Sequence, residues 1–478
     1  MKKIEIFLIT LIILLALALR LYNVNRPIAD WHSWRQADTA AVARNFIKEG
    51  YNPFIPKYDD MSSQTNGLDN PNGYRFVEFP IYNSIIYAVW LVTGVSTTSA
   101  RLVTVVITLI STILLYFLVR YFSGWQTAAL TSFFFATLPY NIFYSSAILP
   151  GPLMVFSFLA LYLCFIKWLH NQKIAFLVLS IIFANLAILT WPIALFFMLP
   201  LVYLALQKFG TTFLKKPSLW IFAAVSLTPF LIWRIWMTRF PEGIPSWQFL
   251  LNDANIRFKG AFFRWLIAER LGKLIVTVGG FSLFIIGLLT KTSKKEGLFY
   301  FFWLLSAVLY FVVFASGNVR HDYYQVPAVP ILVIFMAKGV FTLFDPKNLN
   351  INKNLARVVA ILLVLTTYAF GIYEVRGYFW INNPQIIEAG QAADKILPKD
   401  ATVIAPYGGD TAFLYQTNRY GYPIVDRSLE KFVEQGTKYL VSVDLNDAGI
   451  KNLSQNCKVI ERTDNYVIIE MFKECLGK

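Results

Sequence analysis

Charged residues are scarce in this chain, and their scarcity excludes whole classes of protein. Only 15% of the 478 residues are charged, whereas 56% are hydrophobic and 17% are aromatic. Soluble domains carry about 25% charged residues. The apolar residues also form blocks long enough for a bilayer, which takes roughly 20 residues per helical crossing. An ordinary soluble enzyme and a disordered protein are therefore excluded, and a polytopic α-helical membrane protein is predicted.

Histidine and cysteine are also few, with three of each and no spacing typical of a metal site. No G-x-G-x-x-G or Walker sequence is present, so nucleotide hydrolysis is not expected. We predict no metal site and no confident cofactor, and leave open a divalent cation shared by outer-face carboxylates. Cys457 and Cys475 lie in the C-terminal tail, where a disulfide is an alternative to two free thiols.

The formal net charge of +15 is unevenly distributed. Residues 381–478 have a net charge of −2, which leaves +17 for residues 1–380. Those positive charges lie in short loops between apolar blocks, the pattern of a membrane protein and not of a nucleic-acid-binding groove. We therefore predict an integral plasma (inner) membrane protein and no nucleic-acid partner.

The apolar blocks predict eleven membrane spans, with a cytoplasmic N-terminus and an outer tail. Every connection that this count places in the cytoplasm contains Lys or Arg, as the positive-inside rule requires. A short apolar stretch at 81–95 is predicted to lie at the outer interface. The predicted spans are 4–22, 99–119, 125–142, 149–169, 174–190, 192–207, 218–237, 272–290, 297–315, 327–344 and 354–375.

Two domains are predicted on either side of residue 380. Residues 1–380 form the membrane domain, with a first outer loop at 23–98 that contains amphipathic helices. Residues 381–478 form a small extracytoplasmic α/β domain, because helical spacing at 385–397 and 429–435 alternates with short β-rich runs. The predicted strands are 402–405, 439–443, 459–461 and 467–471.

One candidate cluster opens the first outer loop. Asp30 and His32 precede a predicted helix at 36–47, and Arg35 and Asp38 lie at its start. A guanidinium can hold an anionic headgroup while a carboxylate takes a proton from an acceptor. The alternative is structural: Asp30 caps the helix and pairs with Arg35, and the neighbouring tryptophans belong to an interfacial belt.

A second cluster directly precedes the tenth span. Arg320, His321, Tyr323 and Tyr324 are predicted to bind a phosphate at headgroup depth, and an aromatic belt with a snorkelling arginine is the alternative. Glu78, before the interfacial stretch, is a further candidate substrate-binding residue that either faces the same cavity or favours a helix N-terminus.

These segments resemble the GT-C superfamily of lipid-linked-sugar glycosyltransferases. The specific parts are His32-Ser33-Trp34-Arg35-Gln36-Ala37-Asp38, Glu78-Phe79-Pro80-Ile81-Tyr82 and His321-Asp322-Tyr323-Tyr324-Gln325-Val326-Pro327. Within the superfamily, the chain is similar to the protein O-mannosyltransferase and lipid A aminoarabinose transferase branch, in particular to bacterial members with an H-x-W-R-Q first-loop motif.

The resemblance implies an inverting transferase with a polyprenyl-phosphate sugar donor and a first-loop carboxylate as general base. The acceptor would be a glycan, a lipid or a protein. The best-known branches begin this loop with adjacent Asp-Glu; here Asp30 and Asp38 are both candidates, with Asp30 favoured because it lies in coil. A transporter or flippase of lipid-linked saccharides is the rival, although mid-membrane ionisable residues are scarce. A non-catalytic family member is a third alternative.

The topology is directly testable. A reporter that is active only in the cytoplasm, fused to the C-terminus, should be silent, because eleven spans place the two termini on opposite sides. The same reporter fused in the 208–216 connection should be active. An active C-terminal fusion would contradict the assignment.

Overall fold

The computed structural model describes residues 2–63, 66–346 and 351–476. Contacts group the chain into two compact units. The first, called the membrane unit, consists of Met1–Val24, Arg101–Arg234 and Trp247–Gly377. The second, called the loop–tail unit, consists of Asn25–Ala100, Ile235–Ser246 and Tyr378–Lys478. The predicted division into two domains at residue 380 stays a prediction; the second unit contains most of the first outer loop besides the tail.

The membrane unit is helical and apolar. Among the described residues, seven helices are long and apolar enough to cross a membrane, or eight if a pair bent by 109° forms one span. The main helices are Lys3–Leu21, Thr97–Thr137, Gly151–Asn171, Ile174–Thr190, Leu199–Phe209, Pro217–Met237, Thr277–Leu288, Phe299–Val313, Val329–Phe344 and Lys353–Val375. Shorter helical segments are Pro139–Tyr144, Pro192–Met198, Gly210–Lys215, Phe249–Asn252, Asp253–Phe258, Gly260–Phe263, Arg264–Ile275, Ala315–Arg320, Asp322–Ala328 and Arg376–Phe379.

Each of the eleven predicted spans coincides with helical structure, while the number of membrane crossings stays a prediction. Thr97–Thr137 has 41 residues, about twice the length of one crossing. It breaks at Gly124, whose φ of +83° only glycine adopts readily, and so divides between the second and third predicted spans. The stretch predicted at the interface forms the short helix Ile81–Thr93.

Close helix packing in the membrane unit depends on glycine. A Cβ atom at Gly287 would lie 1.8 Å from the carbonyl oxygen of Phe335, and one at Gly339 would lie 2.0 Å from that of Leu283. Thr277–Leu288 and Val329–Phe344 therefore approach backbone to backbone, as small residues permit between membrane helices.

The tail forms a five-stranded sheet with helices Gln385–Ile396, Ala412–Thr417, Leu429–Glu434, Ala448–Asn456 and Lys473–Leu476. Its strands are β1 Val403–Ile404, β2 Gly421–Tyr422, β3 Tyr439–Ser442, β4 Lys458–Arg462 and β5 Val467–Glu470, in the order β2-β1-β3-β5-β4. The β1 strand pairs in parallel with β2 and β3, whereas β5 is antiparallel to β3 and β4. The predicted class, a polytopic helical membrane protein with a small α/β tail, is confirmed.

The first outer loop extends this sheet at the free edge of β2. Asp60 forms a parallel bridge with Gly421, whose amide donates to the carbonyl oxygen of Asp59 at 2.9 Å. The helix Ser33–Glu49 packs nearby, where Arg44 donates to the carbonyl oxygen of Tyr415 at 2.9 Å. The loop and the tail are therefore one folded body.

The tail is also closed covalently. Cys457 and Cys475 form a disulfide, and both lie in the tail's hydrophobic core with Phe432 and Leu440. The sequence left open whether these two cysteines form a disulfide or stay free thiols, and the structure shows the disulfide. Cys164, in the membrane unit, is a free thiol.

Replacing Gly421 tests the close pairing of β2 with β1. In Gly421→Ala the new Cβ would lie 1.8 Å from the carbonyl oxygen of Val403, a backbone atom that cannot turn aside. We expect a loss of stability of at least about 1–3 kcal/mol, seen as a lower Tm of the purified protein in detergent. The matched control is Gly260→Ala, where no atom lies within 4 Å of the new Cβ. Equal Tm values for the two variants would contradict this account.

Candidate active site

The helix Ser33–Glu49 carries the first candidate cluster. It begins after His32, whose φ of +54° is uncommon for a residue other than glycine and turns the chain sharply into the helix. From Ser33 to Phe46 nearly every side chain of this helix is buried, including Arg35 and Asp38. Buried charges need partners, so the contacts of these side chains define the site.

Two ion pairs line a small polar pocket within the loop–tail unit. Arg35 pairs with Glu78, and Arg75 pairs with Asp38 through an Nη2–Oδ2 contact of 2.7 Å. Thr39 and Asn83 complete the polar part of the lining. We call this cavity the loop pocket. Its remaining lining residues are Val42, Pro56, Val77 and Pro80.

Asp38 is held by two segments that are distant in sequence. Besides Arg75, it accepts a hydrogen bond on Oδ1 from the hydroxyl of Thr411 at 2.7 Å. The tail therefore contributes directly to the environment of this carboxylate. Two other arginines of the same helix have different partners: Arg35 pairs with Glu78, and Arg44 with Asp59.

Asp30 lies outside the lining of the loop pocket, and its side chain is fully buried. Its Oδ2 accepts from Arg26 at 2.5 Å, and its Oδ1 accepts from the side-chain amide of Gln36 at 2.8 Å. The sequence offered a purely structural role for Asp30, as a helix cap paired with Arg35. The arginine that pairs with Asp30 in the structure is Arg26. Asp30 thus ties the chain before the helix to the first turn of the helix.

Asp410, in the tail, is a further carboxylate of this region. It accepts from the hydroxyl of Ser33 at 2.9 Å and from the amide of Ala412 at 2.7 Å. Burial raises the pKa of Asp410, and the charge of Asp38 raises it further, while His32 opposes the shift. Sequence reasoning missed this residue because it treated the tail as a separate domain.

The membrane unit holds the second cluster around Asp322. This carboxylate is buried, accepts a hydrogen bond from the hydroxyl of Tyr144, and lies 3.8 Å from Arg270. Arg270 also donates to the carbonyl oxygen of Val319 at 2.8 Å. We call Tyr144, Arg270, His321, Asp322, Tyr323 and Tyr324 the bundle cluster.

His321, Tyr323 and Tyr324 form the aromatic part of the bundle cluster. The His321 ring centroid lies 5.6 Å from that of Tyr323 and 5.8 Å from that of Tyr324. Trp191 adds a fourth ring, 5.4 Å from Tyr324. Both tyrosines are buried, whereas His321 is half-buried.

Arg320 makes different contacts from those of His321, the next residue in the chain. Its side chain is half exposed, pairs with Asp253 and lies over the ring of Phe249. Arg270 is the arginine that contacts Asp322 of the bundle cluster. The sequence offered no periodicity that would connect residue 270 with residue 322, and so this arginine was missed.

Together these features define an integral membrane protein with a helical membrane unit and a loop–tail unit. The family model for dolichyl-phosphate-mannose-protein mannosyltransferases matches residues 77–236. A comparison with curated protein sequences finds no match. The segment matched by the family model covers about a third of the chain, and the solved structures described next share the fold that the resemblance implies.

The structural likeness extends over nearly the whole chain. ArnT from Cupriavidus metallidurans bound to undecaprenyl phosphate aligns with a TM-score of 0.64 at 15% identity, covering 98% of this chain and 99% of that one. The oligosaccharyltransferase AglB from Archaeoglobus fulgidus, in complex with an inhibitory peptide and a dolichol-phosphate, has a TM-score of 0.57 at 12% identity, covering 98% and 74%. A complex of the Archaeoglobus enzyme with Zn and sulfate has a TM-score of 0.57 at 13% identity, covering 93% and 69%.

No metal is assigned to the loop pocket. Each of its two carboxylates already has an arginine as partner. Among the residues that the structure describes, no group of three His, Cys, Asp or Glu side chains is placed to hold a metal ion. The divalent cation that the sequence left open stays untested.

Asp60 is a buried carboxylate of the loop–tail unit, and it tests how much a buried charge destabilises that unit. Burial raises its pKa from 3.8 to about 6, and the charge of Asp38 adds to the shift. The folded state holds this proton more tightly than the unfolded state does, so ionisation of Asp60 destabilises the fold. This loss of folding free energy is absent below about pH 4 and complete above about pH 6. It amounts to about 3 kcal/mol at most.

Asp60→Asn should therefore raise the Tm at pH 7.5, and the gain should shrink as the pH falls to 4. Asp400→Asn is the matched control, since Asp400 is exposed in the same unit. A gain that does not change with pH would mean that ionisation of Asp60 is not its cause.

Proposed function

We propose that this protein is an inverting glycosyltransferase that moves one sugar from a polyprenyl-phosphate donor to an acceptor at the outer face of the membrane. The observation that carries the proposal is the end-to-end likeness to ArnT bound to undecaprenyl phosphate. That likeness covers the membrane helices, the first loop and the tail together. The family-model match to dolichyl-phosphate-mannose-dependent transferases supports the same class.

Asp38 is the proposed general base. Asp38 belongs to the lining of the loop pocket, whereas Asp30 lies outside that lining. The ion pair with Arg75 fixes the orientation of this carboxylate at the pocket. A carboxylate has about four lone-pair sites, so its bonds to Arg75 and Thr411 leave capacity for an acceptor hydroxyl or amine.

The proposed reaction is a single displacement. Asp38 takes the acceptor's proton as the acceptor oxygen or nitrogen bonds to the anomeric carbon. The bond from that carbon to the phosphate oxygen breaks at the same time, and polyprenyl phosphate leaves with the bonding electron pair. Attack opposite to the leaving group inverts the anomeric centre. Stabilising the charge that develops on the phosphate lowers the barrier.

The donor phosphate is proposed to bind at the bundle cluster. His321 offers a ring N–H, Tyr324 a hydroxyl, and Arg270 a positive charge beside Asp322. Arg320 is a weaker candidate than the sequence suggested, because its half-exposed side chain pairs with Asp253. Arg35 is proposed to orient Glu78 at the loop pocket, and both remain candidates for contacting the sugar.

An outer location of the loop–tail unit fits two observations. The tail contains a disulfide, which forms and persists in oxidising compartments outside the cytoplasm. The predicted cytoplasmic connections are basic, whereas seven acidic residues lie in the 23–98 loop.

Carboxamide variants separate the candidate bases. Asp38→Asn should lower turnover of a labelled polyprenyl-phosphate sugar by roughly 10²–10⁴-fold with donor binding retained, because the amide cannot take the proton. Asp30→Asn should act chiefly on the Tm, since Asp30 holds the helix entry. Asp69→Asn is the control, as an exposed carboxylate of the same loop. Near-normal turnover by Asp38→Asn would overturn its assignment.

A further inference from the structure

A second cavity lies in the membrane unit, away from both candidate clusters in sequence. It has a volume of about 170 Å³. Its buried floor consists of Phe122, Ile166, Leu169 and Leu204, and its exposed rim of Tyr121, His170, Gln207, Lys208 and Lys295. We call it the basic cavity. An apolar floor beneath a basic rim suits a ligand that is anionic at one end and apolar at the other.

The rim carries positive charge with no carboxylate in the lining. Lys208 and Lys295 supply two ammonium groups, and His170 and Gln207 add further hydrogen-bonding capacity. The Lys295 ammonium lies 3.7 Å from the centre of the Tyr121 ring. This contact keeps it over the cavity mouth and leaves its N–H groups able to donate to an anion.

The segment that carries Lys295 is fixed by contacts of the residues that follow it. The next residue, Glu296, is buried and pairs with the buried Lys338 of the helix Val329–Phe344. The Leu298 amide donates to the hydroxyl of Tyr203 at 2.8 Å. The position of Lys295 is therefore built into the fold and is not that of a free surface lysine.

The basic cavity lies at the ends of membrane helices. His170 belongs to the last turn of Gly151–Asn171, and Lys208 to the last turn of Leu199–Phe209. The connections that follow are among those predicted to be cytoplasmic. Such helix ends reach the depth of lipid headgroups, and the cytoplasmic leaflet is the one enriched in anionic lipids.

We propose that the basic cavity binds an anionic phospholipid of the cytoplasmic leaflet. The lipid phosphate would contact Lys208 and Lys295, and the upper part of an acyl chain would cover the apolar floor. Basic pockets between membrane helices on this side of a bilayer recognise lipid headgroups in this way. The proposal concerns the face opposite to the proposed chemistry and does not depend on the glycosyltransferase assignment.

The test compares lipid binding by the wild-type protein and three double variants, two with glutamine and one with arginine at both cavity positions. Each is placed in bilayers of phosphatidylcholine containing increasing phosphatidylglycerol, and the lipid retained after extraction is counted by native mass spectrometry. The cavity variant is Lys208→Gln with Lys295→Gln. The matched control is Lys215→Gln with Lys294→Gln, which removes the same charge from the same two connections at exposed residues outside the cavity lining.

We expect the wild type and the control to retain phosphatidylglycerol in preference to phosphatidylcholine. The cavity variant should lose roughly tenfold or more in affinity at an unchanged Tm, and arginine at both positions should restore it. Equal losses in the two glutamine variants, no preference for phosphatidylglycerol, or displacement of the lipid by millimolar inorganic phosphate would overturn the proposal. The last result would identify a small-anion site.

Discussion

Pairing of buried charge in the first outer loop is the constraint on which the loop–tail unit depends. Four arginines of this loop each hold one carboxylate of the same loop. The pairs are Arg26–Asp30, Arg35–Glu78, Arg44–Asp59 and Arg75–Asp38. An isolated charge is costly to bury, so breaking any one pair leaves an uncompensated partner and destabilises the fold. The pairs therefore determine how the loop folds and which carboxylate reaches the loop pocket.

The tail completes this arrangement. Thr411 donates to Asp38, Tyr415 accepts from Arg44, and Gly421 forms a bridge with Asp60. Asp59 and Asp60 are so deeply buried that burial raises the pKa of each carboxyl. Through these contacts the tail shapes the environment of the proposed base.

The overall architecture could be predicted because it depends on patterns along the chain. Apolar blocks of bilayer length predict membrane helices, and helix–strand alternation after residue 380 predicts the α/β tail. A two-residue strand such as Gly421–Tyr422 has too little pattern to be found. Its pairing with residues of the first loop links positions more than 350 apart, and no local period encodes such a link.

The candidate site was predicted less completely for a related reason. Asp38, Glu78 and Arg35 stood out by their residue type in an acidic loop, and all three line one pocket. Arg75 and Arg270 did not stand out, because a lone arginine carries no motif and the partner of a buried charge is chosen by the fold. Seven carboxylates in a loop that folds should nevertheless prompt a search for the arginines that neutralise them.

The most direct measurement follows a polyprenyl phosphate whose sugar is labelled. The purified protein in detergent is incubated with this donor and an acceptor fraction from the cell envelope. We expect the label to leave the lipid and appear on the acceptor, with unlabelled polyprenyl phosphate as the second product. Label that stays on the lipid, together with movement of the intact lipid between leaflets after reconstitution, would contradict the account and identify a transporter.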